Sequence, residues 1–254
     1  MLIINADDFG YSESVNHAIA TSFEQGLISS TTIMANAPAF VHACELAKRK
    51  GFADKIGIHL NLTEGKPLTE GIKQSRIFCD ESGNFSFKRF KHYWLPSNEI
   101  ALLRQEIAQQ ILRCRKHGIH LTHADSHHHV HTELFISLAV ARELRRFGIP
   151  YLRLTDNVRP ASLFRKTYKA NLNFLIALHG LKGSHYFCDL NDIAGMKQQC
   201  GADDVVVELM VHPAFADNGS LIDAEMKEPL QPALRRVPRL SKLISFGDVK
   251  QCRT

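Results

Sequence analysis

The sequence has no Cys-x-x-Cys pair, no Gly-x-Gly-x-x-Gly, no large excess of one charge and no apolar run near the roughly 20 residues of a membrane span. Each absence excludes something. The six cysteines, Cys44, Cys79, Cys114, Cys188, Cys200 and Cys252, lack the spacing of a zinc knuckle. The missing glycine motif argues against a dinucleotide-binding open sheet, the alternative α/β arrangement. A net charge of +5 with scattered basic residues predicts no nucleic-acid partner. Lys48-Arg49-Lys50 and Arg235-Arg236 read as solvated helix ends. Residues 1–6 are apolar but run straight into acidic residues, without a basic leader or a small-residue cleavage site. The expectation is a cytoplasmic protein with reduced thiols and no membrane partner.

What is present is ordinary globular composition, 44% hydrophobic and 22% charged, in a chain that fits one large domain over residues 1–254. Strand-like and helix-like stretches alternate. Leu2–Ala6, Ile28–Ala35, Ile56–Leu62, Ile119–Ala124, Tyr151–Leu154, His185–Phe187, Val205–Val211 and Leu243–Phe246 read as strands. Helices are expected from Ser12 to Gln25, Pro38 to Lys50, Ser97 to Gly118, Thr132 to Phe147, over 162–180 and near 191–200. Ser12, Ser97 and Thr132 are the expected caps. About eight strands with helices between predict an α/β fold, an irregular (β/α) TIM-like barrel. Residues 64–96 form an irregular insertion rich in aromatics: Phe78, Phe85, Phe87, Phe90, Tyr93 and Trp94. These build a satellite core, line a sugar cleft, or do both.

The densest chemistry is His127-His128-His129-Val130-His131, just after Asp125. Other polar groups close other apolar runs. Asp7-Asp8 follows Leu2-Ile3-Ile4, His59 lies late in Ile56–Leu62, and His212 follows Val205–Val211. Barrel enzymes carry their chemistry at the C-terminal ends of strands, so these residues are expected to converge there on one divalent metal. Two imidazoles and one carboxylate leave positions open for water and substrate. His59 and His127 are the chosen imidazoles. Asp7-Asp8 supplies both a ligand and a base, because neighbouring strand residues point in different directions. Residues 127–131 are expected to be loop, with His128, His129 and His131 structural or facing substrate. His212, held extended by Pro213, is a general acid or a third ligand. Glu208 sits in an apolar strand and needs a partner if buried. Arg153 is that partner, or it orients Asp7.

The blocks Asn5-Ala-Asp-Asp-Phe-Gly10, Gly57-Ile-His-Leu-Asn-Leu62 with Gly65-Lys-Pro-Leu68, His123-Ala-Asp-Ser-His-His-His-Val-His131 and His212-Pro-Ala-Phe215 resemble, in the same order, those of the YdjC-like carbohydrate deacetylases, the family of the chitooligosaccharide deacetylases. The resemblance implies a barrel-like α/β fold related to the polysaccharide deacetylases. It implies metal-dependent removal of acetyl groups from N-acetylated sugars such as N-acetylglucosamine oligomers. Matched position by position, Asp8, His59 and His127 take the metal-ligand places, Asp7 that of the base and His212 that of the acid. Asp125, His131, Arg153 and Glu208 fall to supporting or substrate-facing places. The family's metal is magnesium, although two imidazoles also suit zinc, cobalt or manganese. The C-terminal segment departs from the family pattern, being shorter and interrupted by Pro229, Pro232 and Pro238. A homodimer is the working expectation for assembly. The same residues would also serve a metal-dependent phosphoesterase, or a sugar- or metal-binding protein without catalysis.

Overall fold

Apolar residues continuous along a strand, rather than alternating, belong in a parallel sheet covered on both faces. The first strand, β1 (Leu2–Phe9), opens with such a run, Leu2-Ile3-Ile4, and lies centrally. In the computed structural model, which describes residues 1–92, 94–155, 157–158, 161–193, 195–196, 205–237 and 242–249, it pairs in parallel with β2 (Ser30–Ile33) and β6 (Val207–Val211). Beyond β2 lie β3 (Ile56–Leu60) and β4 (Ala124–Ser126), and beyond β6 lies β5 (Tyr186–Asp189). The sheet order is β4-β3-β2-β1-β6-β5, all parallel.

That order is cyclic in sequence, with the last strand returning to the first, as in a barrel. A doubly wound sheet would reverse its order beside β1 instead. Single parallel bridges carry the curl past β4, from Ala124 to Leu152 and from Tyr151 to Lys182, and another joins Leu2 to Leu243. The result is a curled half-barrel sheet consistent with a TIM-like barrel. Two of the eight expected strands, at 151–154 and 243–246, are therefore bridges and not ladders. β4 is also shorter and begins later than the apolar run Ile119–Ala124 suggests.

The helices on the outside are α1 (Glu13–Glu24), α2 (Phe40–Lys50), α3 (Ser97–Lys116), α4 (Leu134–Arg146) and α5 (Leu163–Leu178). Ser12 caps α1 by accepting from the Val15 amide, as expected, and Ser162 caps α5. Two expected caps are not caps. Ser97 is already helical behind Pro96, and α4 starts after Glu133 because the Thr132 hydroxyl donates to the His129 carbonyl instead. The tract His127–Thr132 is a tight 3-10 segment and not plain loop, with His128 and His129 both at φ 53.

Past His212 a small antiparallel sheet forms from β7 (Pro213–Phe215), β8 (Leu221–Asp223) and β9 (Glu228–Pro229). A short helix, α6 (Leu230–Arg235), follows. Pro232 fits in its first turn, where no intrahelical amide donor is required. Tyr93, Pro238, Cys200, Cys252 and residues 197–200 of the expected helix near 191–200 lie outside the described residues. Leu190–Asp192 is a 3-10 turn. Among the described residues no helix is long and apolar enough to cross a membrane.

Period-two alternation sorts the barrel interior into layers. Ile3, Tyr151, Val206, Ile244 and Phe246 form a buried apolar plug at one end. His123 stacks on Phe246 at 3.9 Å between centroids and begins the polar layers above. Going up β1 by twos, the apolar Ile3 is followed by the polar Asn5 and Asp7. The insertion divides its aromatics: Phe78, Phe85 and Phe87 are buried, whereas Phe90 and Trp94 are exposed.

Candidate active site

β1 delivers two adjacent carboxylates to one place because its register with β2 slips between Ala6 and Phe9, and Asp8 has φ 67. A bulge of this kind re-aims a side chain. Asp7 turns into the barrel and Asp8 towards β3. Asp8 Oδ1 lies 3.1 Å from His59 Nε2 and 2.9 Å from His127 Nδ1, and the two ring nitrogens are 3.4 Å apart. Ligands on bonds of about 2.1 Å stand roughly 3–3.5 Å from each other, so these three atoms have the spacing of one coordination sphere. Asp8 Oδ1 is buried without a well-formed hydrogen bond. A buried carboxylate oxygen left this way could take a cation, and the donor set fits one.

The two rings face the centre through opposite nitrogens, and a carboxylate sets each. His59 Nδ1 donates to Asp125 Oδ1 at 2.7 Å, which leaves Nε2 with its lone pair inward. His127 Nε2 donates to Glu64 Oε1 at 3.0 Å, which leaves Nδ1 inward. Carboxylate–imidazole pairs of this type fix the tautomer and raise ligand basicity. Burial works against protonation of both rings, but Asp125 and Asp8 for His59, and Asp8 and Glu64 for His127, raise their pKa values in the cation-free site. Burial likewise pushes the Asp8 carboxyl up, and the two imidazoles more than reverse it, holding it well below the usual range.

Arg153 organises the layer beneath. It is fully buried and grips three carboxylates. Its Nη1 and Nη2 donate to the two oxygens of Asp7 at 2.6 and 2.7 Å. Nη2 lies 2.8 Å from Asp125 Oδ2, and Nε donates to Glu208 Oε1 at 2.7 Å. Both sequence-based alternatives for Arg153 thus hold at once. Glu208 is completely buried, and burial pushes its carboxyl up to about 7, against the pull of Arg153. Burial raises the Asp7 carboxyl too, but the charge and hydrogen bonds of Arg153 dominate and hold it far below the usual carboxylate range. Asn5 Nδ2 adds a donor to Asp7 Oδ1 at 2.9 Å, and His123 Nε2 donates to Asn5 Oδ1 at 3.0 Å.

The remaining expected residues divide. His212 lines the same 320 Å³ pocket as Asp7, Asp8, His59 and His127, and its amide is fixed by Asp223 Oδ2 at 2.8 Å. It is not one of the three atoms at ligand spacing. His131 is buried and points to Ser126 Oγ at 2.6 Å, a structural place. His128 is exposed beside Thr63. Glu64, Asn5 and His123 were not singled out by sequence reasoning. Asn5 and His123 stand in the family-like blocks, but their pairing runs across the barrel. Glu64 stands among Gly and Pro in a coil, where a carboxylate is normally solvated. Two other groups of clustered donors exist, Asp7–His59–Asp125 and Glu64–His127–His128. In the first the carboxylates are taken by Arg153, and in the second the His127 nitrogen carries the proton given to Glu64.

Relatives match the chain over most of its length. A protein of Brevibacillus brevis named carbohydrate deacetylase is 32% identical over 251 residues, covering 98% of this chain and 93% of its own. One of the same name from Geobacillus stearothermophilus is 33% identical over 221 residues, covering 85% and 80%. A crystal structure from Enterococcus faecalis, of a protein named for cellobiose-phosphate cleavage, superposes with a TM-score of 0.68 at 25% identity, covering 99% of this chain and 92% of that one. The family model described as YdjC-like protein matches residues 1–243, and the chain belongs to that family.

Proposed function

We propose that the chain is a metal-dependent carbohydrate deacetylase. It hydrolyses the N-acetyl group of N-acetylglucosamine units, as in chitooligosaccharides, to acetate and an amino sugar. The observation that carries this reading is the meeting of Asp8 Oδ1, His59 Nε2 and His127 Nδ1 at ligand spacing, in one pocket with Asp7 and His212. The names of the relatives support the same chemistry, since deacetylation at a sugar nitrogen is amide hydrolysis.

A divalent cation held by Asp8, His59 and His127 supplies Lewis acidity, lowering the pKa of water and polarising the acetyl carbonyl. Asp7 orients the water and accepts its proton as the water oxygen bonds to the acetyl carbon. Its Oδ1 already takes donors from Asn5 and Arg153, whereas Oδ2 takes Arg153 alone of these two and keeps a lone pair. Because Arg153 keeps Asp7 ionised, Asp7 is a weak base that holds the proton only in transit. His212 donates a proton to the nitrogen as the C–N bond breaks, since an unprotonated amide nitrogen is a poor leaving group. Asp125, Arg153 and Glu208 hold these groups in register.

Two imidazoles and one carboxylate suit zinc, cobalt or manganese as well as the magnesium implied by the family. The two competing donor clusters are internally neutralised, which favours one cation over the paired cations of a phosphoesterase. The catalytic unit is read as one barrel domain over 1–254, related to the polysaccharide deacetylases, cytoplasmic, with a homodimer as the working assembly. The test is acetate release from a panel of N-acetylglucosamine oligomers, with and without chelator. Release that stops with chelator and returns with added zinc or manganese is expected. No acetate from any N-acetylated sugar, with metal bound, overturns the reading.

A further inference from the structure

The turn after β8 returns to the metal pocket and leaves there a carboxylate that the mechanism above does not use. Glu225 lines the 320 Å³ pocket together with Asp7, Asp8, His59, His127 and His212. Its Oε2 lies 3.7 Å from His212 Nδ1. Hydrogen bonds between catalytic groups are often this long before substrate binds, and they tighten in the complex.

The backbone of both residues is fixed by one side chain. β7 and β8 run antiparallel with Pro213 opposite Asp223, and just beyond that pair Ala224 N donates to His212 O at 2.8 Å. Asp223 is buried. Its Oδ2 accepts from the His212 amide at 2.8 Å, and its Oδ1 accepts from the Glu225 and Met226 amides at 3.1 and 3.0 Å. The histidine and the glutamate are thus set in place together. The Glu225 side chain is itself 53% exposed, so packing leaves it free to turn to solvent. Burial raises its carboxyl, His212 pulls it down, and Asp223, Asp189 and Asp7 raise it again. Among neighbours of its own sign, His212 is the group that attracts it.

We propose that Glu225 is the positioning residue of His212. It accepts a hydrogen bond from Nδ1–H and so turns Nε2–H into the pocket, towards the leaving nitrogen. This rests on the deacetylase reading, because it assigns Nε2 as the donor in amide cleavage. In that step the Nε2 proton passes to the nitrogen, which keeps the electron pair of the breaking C–N bond. Nδ1 keeps its proton on Glu225, and the ring ends as the neutral Nδ1–H tautomer.

The experiment compares the zinc-loaded wild type with Glu225→Leu and Glu225→Gln. Nitrogen-15 shifts of the neutral His212 ring report its tautomer without any substrate. The Nδ1–H form is expected to dominate in the wild type and to lose that dominance in Glu225→Leu. With the N-acetylglucosamine disaccharide, Glu225→Leu should lower kcat about tenfold or more, with KM within about twofold. Glu225→Gln should recover part of the loss, because a carboxamide oxygen still accepts from Nδ1–H. In a His212→Ala background, Glu225→Leu should cost less than about twofold, since the glutamate acts only through the ring. An unchanged tautomer in Glu225→Leu, or an equal cost with and without the histidine, overturns the proposal. A wild type that releases no acetate from any N-acetylated sugar removes the deacetylase reading, and the tautomer measurement then decides the pairing by itself.

Discussion

Each imidazole at the centre is aimed by a carboxylate behind it, and that pairing decides which nitrogen is free. Glu64 does this for His127 from a half-exposed coil position. Glu64→Leu should weaken zinc binding about 10- to 100-fold. Glu64→Gln should cost less, because the carboxamide oxygen still accepts from Nε2. Calorimetric zinc titration measures both, and the nitrogen-15 shifts of His127 report whether the Nε2–H tautomer is lost in the leucine variant. His212 makes the opposite prediction. His212→Ala should keep the metal and cut turnover by about 10²–10⁴-fold, the usual worth of a positioned acid. Loss of metal in that variant would make His212 a ligand and remove it as the acid. The carboxylate pair Asp7-Asp8 and the imidazoles His59 and His127 were legible in the sequence because each ends or closes an apolar run. Glu64 was not, because nothing local separates it from an ordinary solvated glutamate.

Among the elements, β3 and β4 are held together by a close approach. A Cβ on Gly57 would meet the His123 ring at 2.5–2.6 Å. That ring cannot retreat, since it stacks on Phe246 and bonds Asn5. Gly57→Ala should destabilise the protein by about 1–3 kcal/mol, as overpacked cores do. Urea unfolding checks this, and a change below about 0.3 kcal/mol would mean the ring has room to move. Helix positions were readable from apolar periodicity and glycine stops, as with α1, α2 and α3. Strand ends were less so. The apolar run Ile119–Ala124 misplaces β4, because ladder pairing with β3 begins only at Ala124. The tract after Asp125 packs as a 3-10 segment with two left-handed histidines, a conformation held by contacts such as that of Thr132 with His129.

For the molecule as a whole, buried histidines set the acid limit of stability. Burial lowers the pKa values of His123 and His131 well below normal and takes His129 to about 3, with Arg153 adding to each. In the unfolded chain they titrate near 6.5. Below that pH the unfolded state binds protons that the folded state does not. Their stabilising contribution is thus complete above about 6.5 and is lost as pH falls towards the folded values. His59 and His127, with raised values, are protonated in both states below 6.5 when no cation is bound, and so add no slope there. Glu208, pushed up to about 7, holds a proton in the folded state alone over the same range and offsets one histidine. Urea unfolding of the chelated protein should therefore show stability falling from pH 6.5 to 4.5 by up to about 1.4 kcal/mol per pH unit for each of the two histidine protons left in the balance. A flat profile would show that these rings take up protons while folded.

The linear sequence determined the alternation of β and α, the absence of a dinucleotide turn, and the residues able to bind a cation, because these depend on local spacing and side-chain chemistry. Only the tertiary structure decided that Arg153 serves three carboxylates at once and that Glu64 backs His127. Those relations join positions up to 146 residues apart, as with Arg153 and Asp7. Curling of the parallel sheet brings such positions within hydrogen-bonding distance, and no local pattern in the chain encodes that closeness.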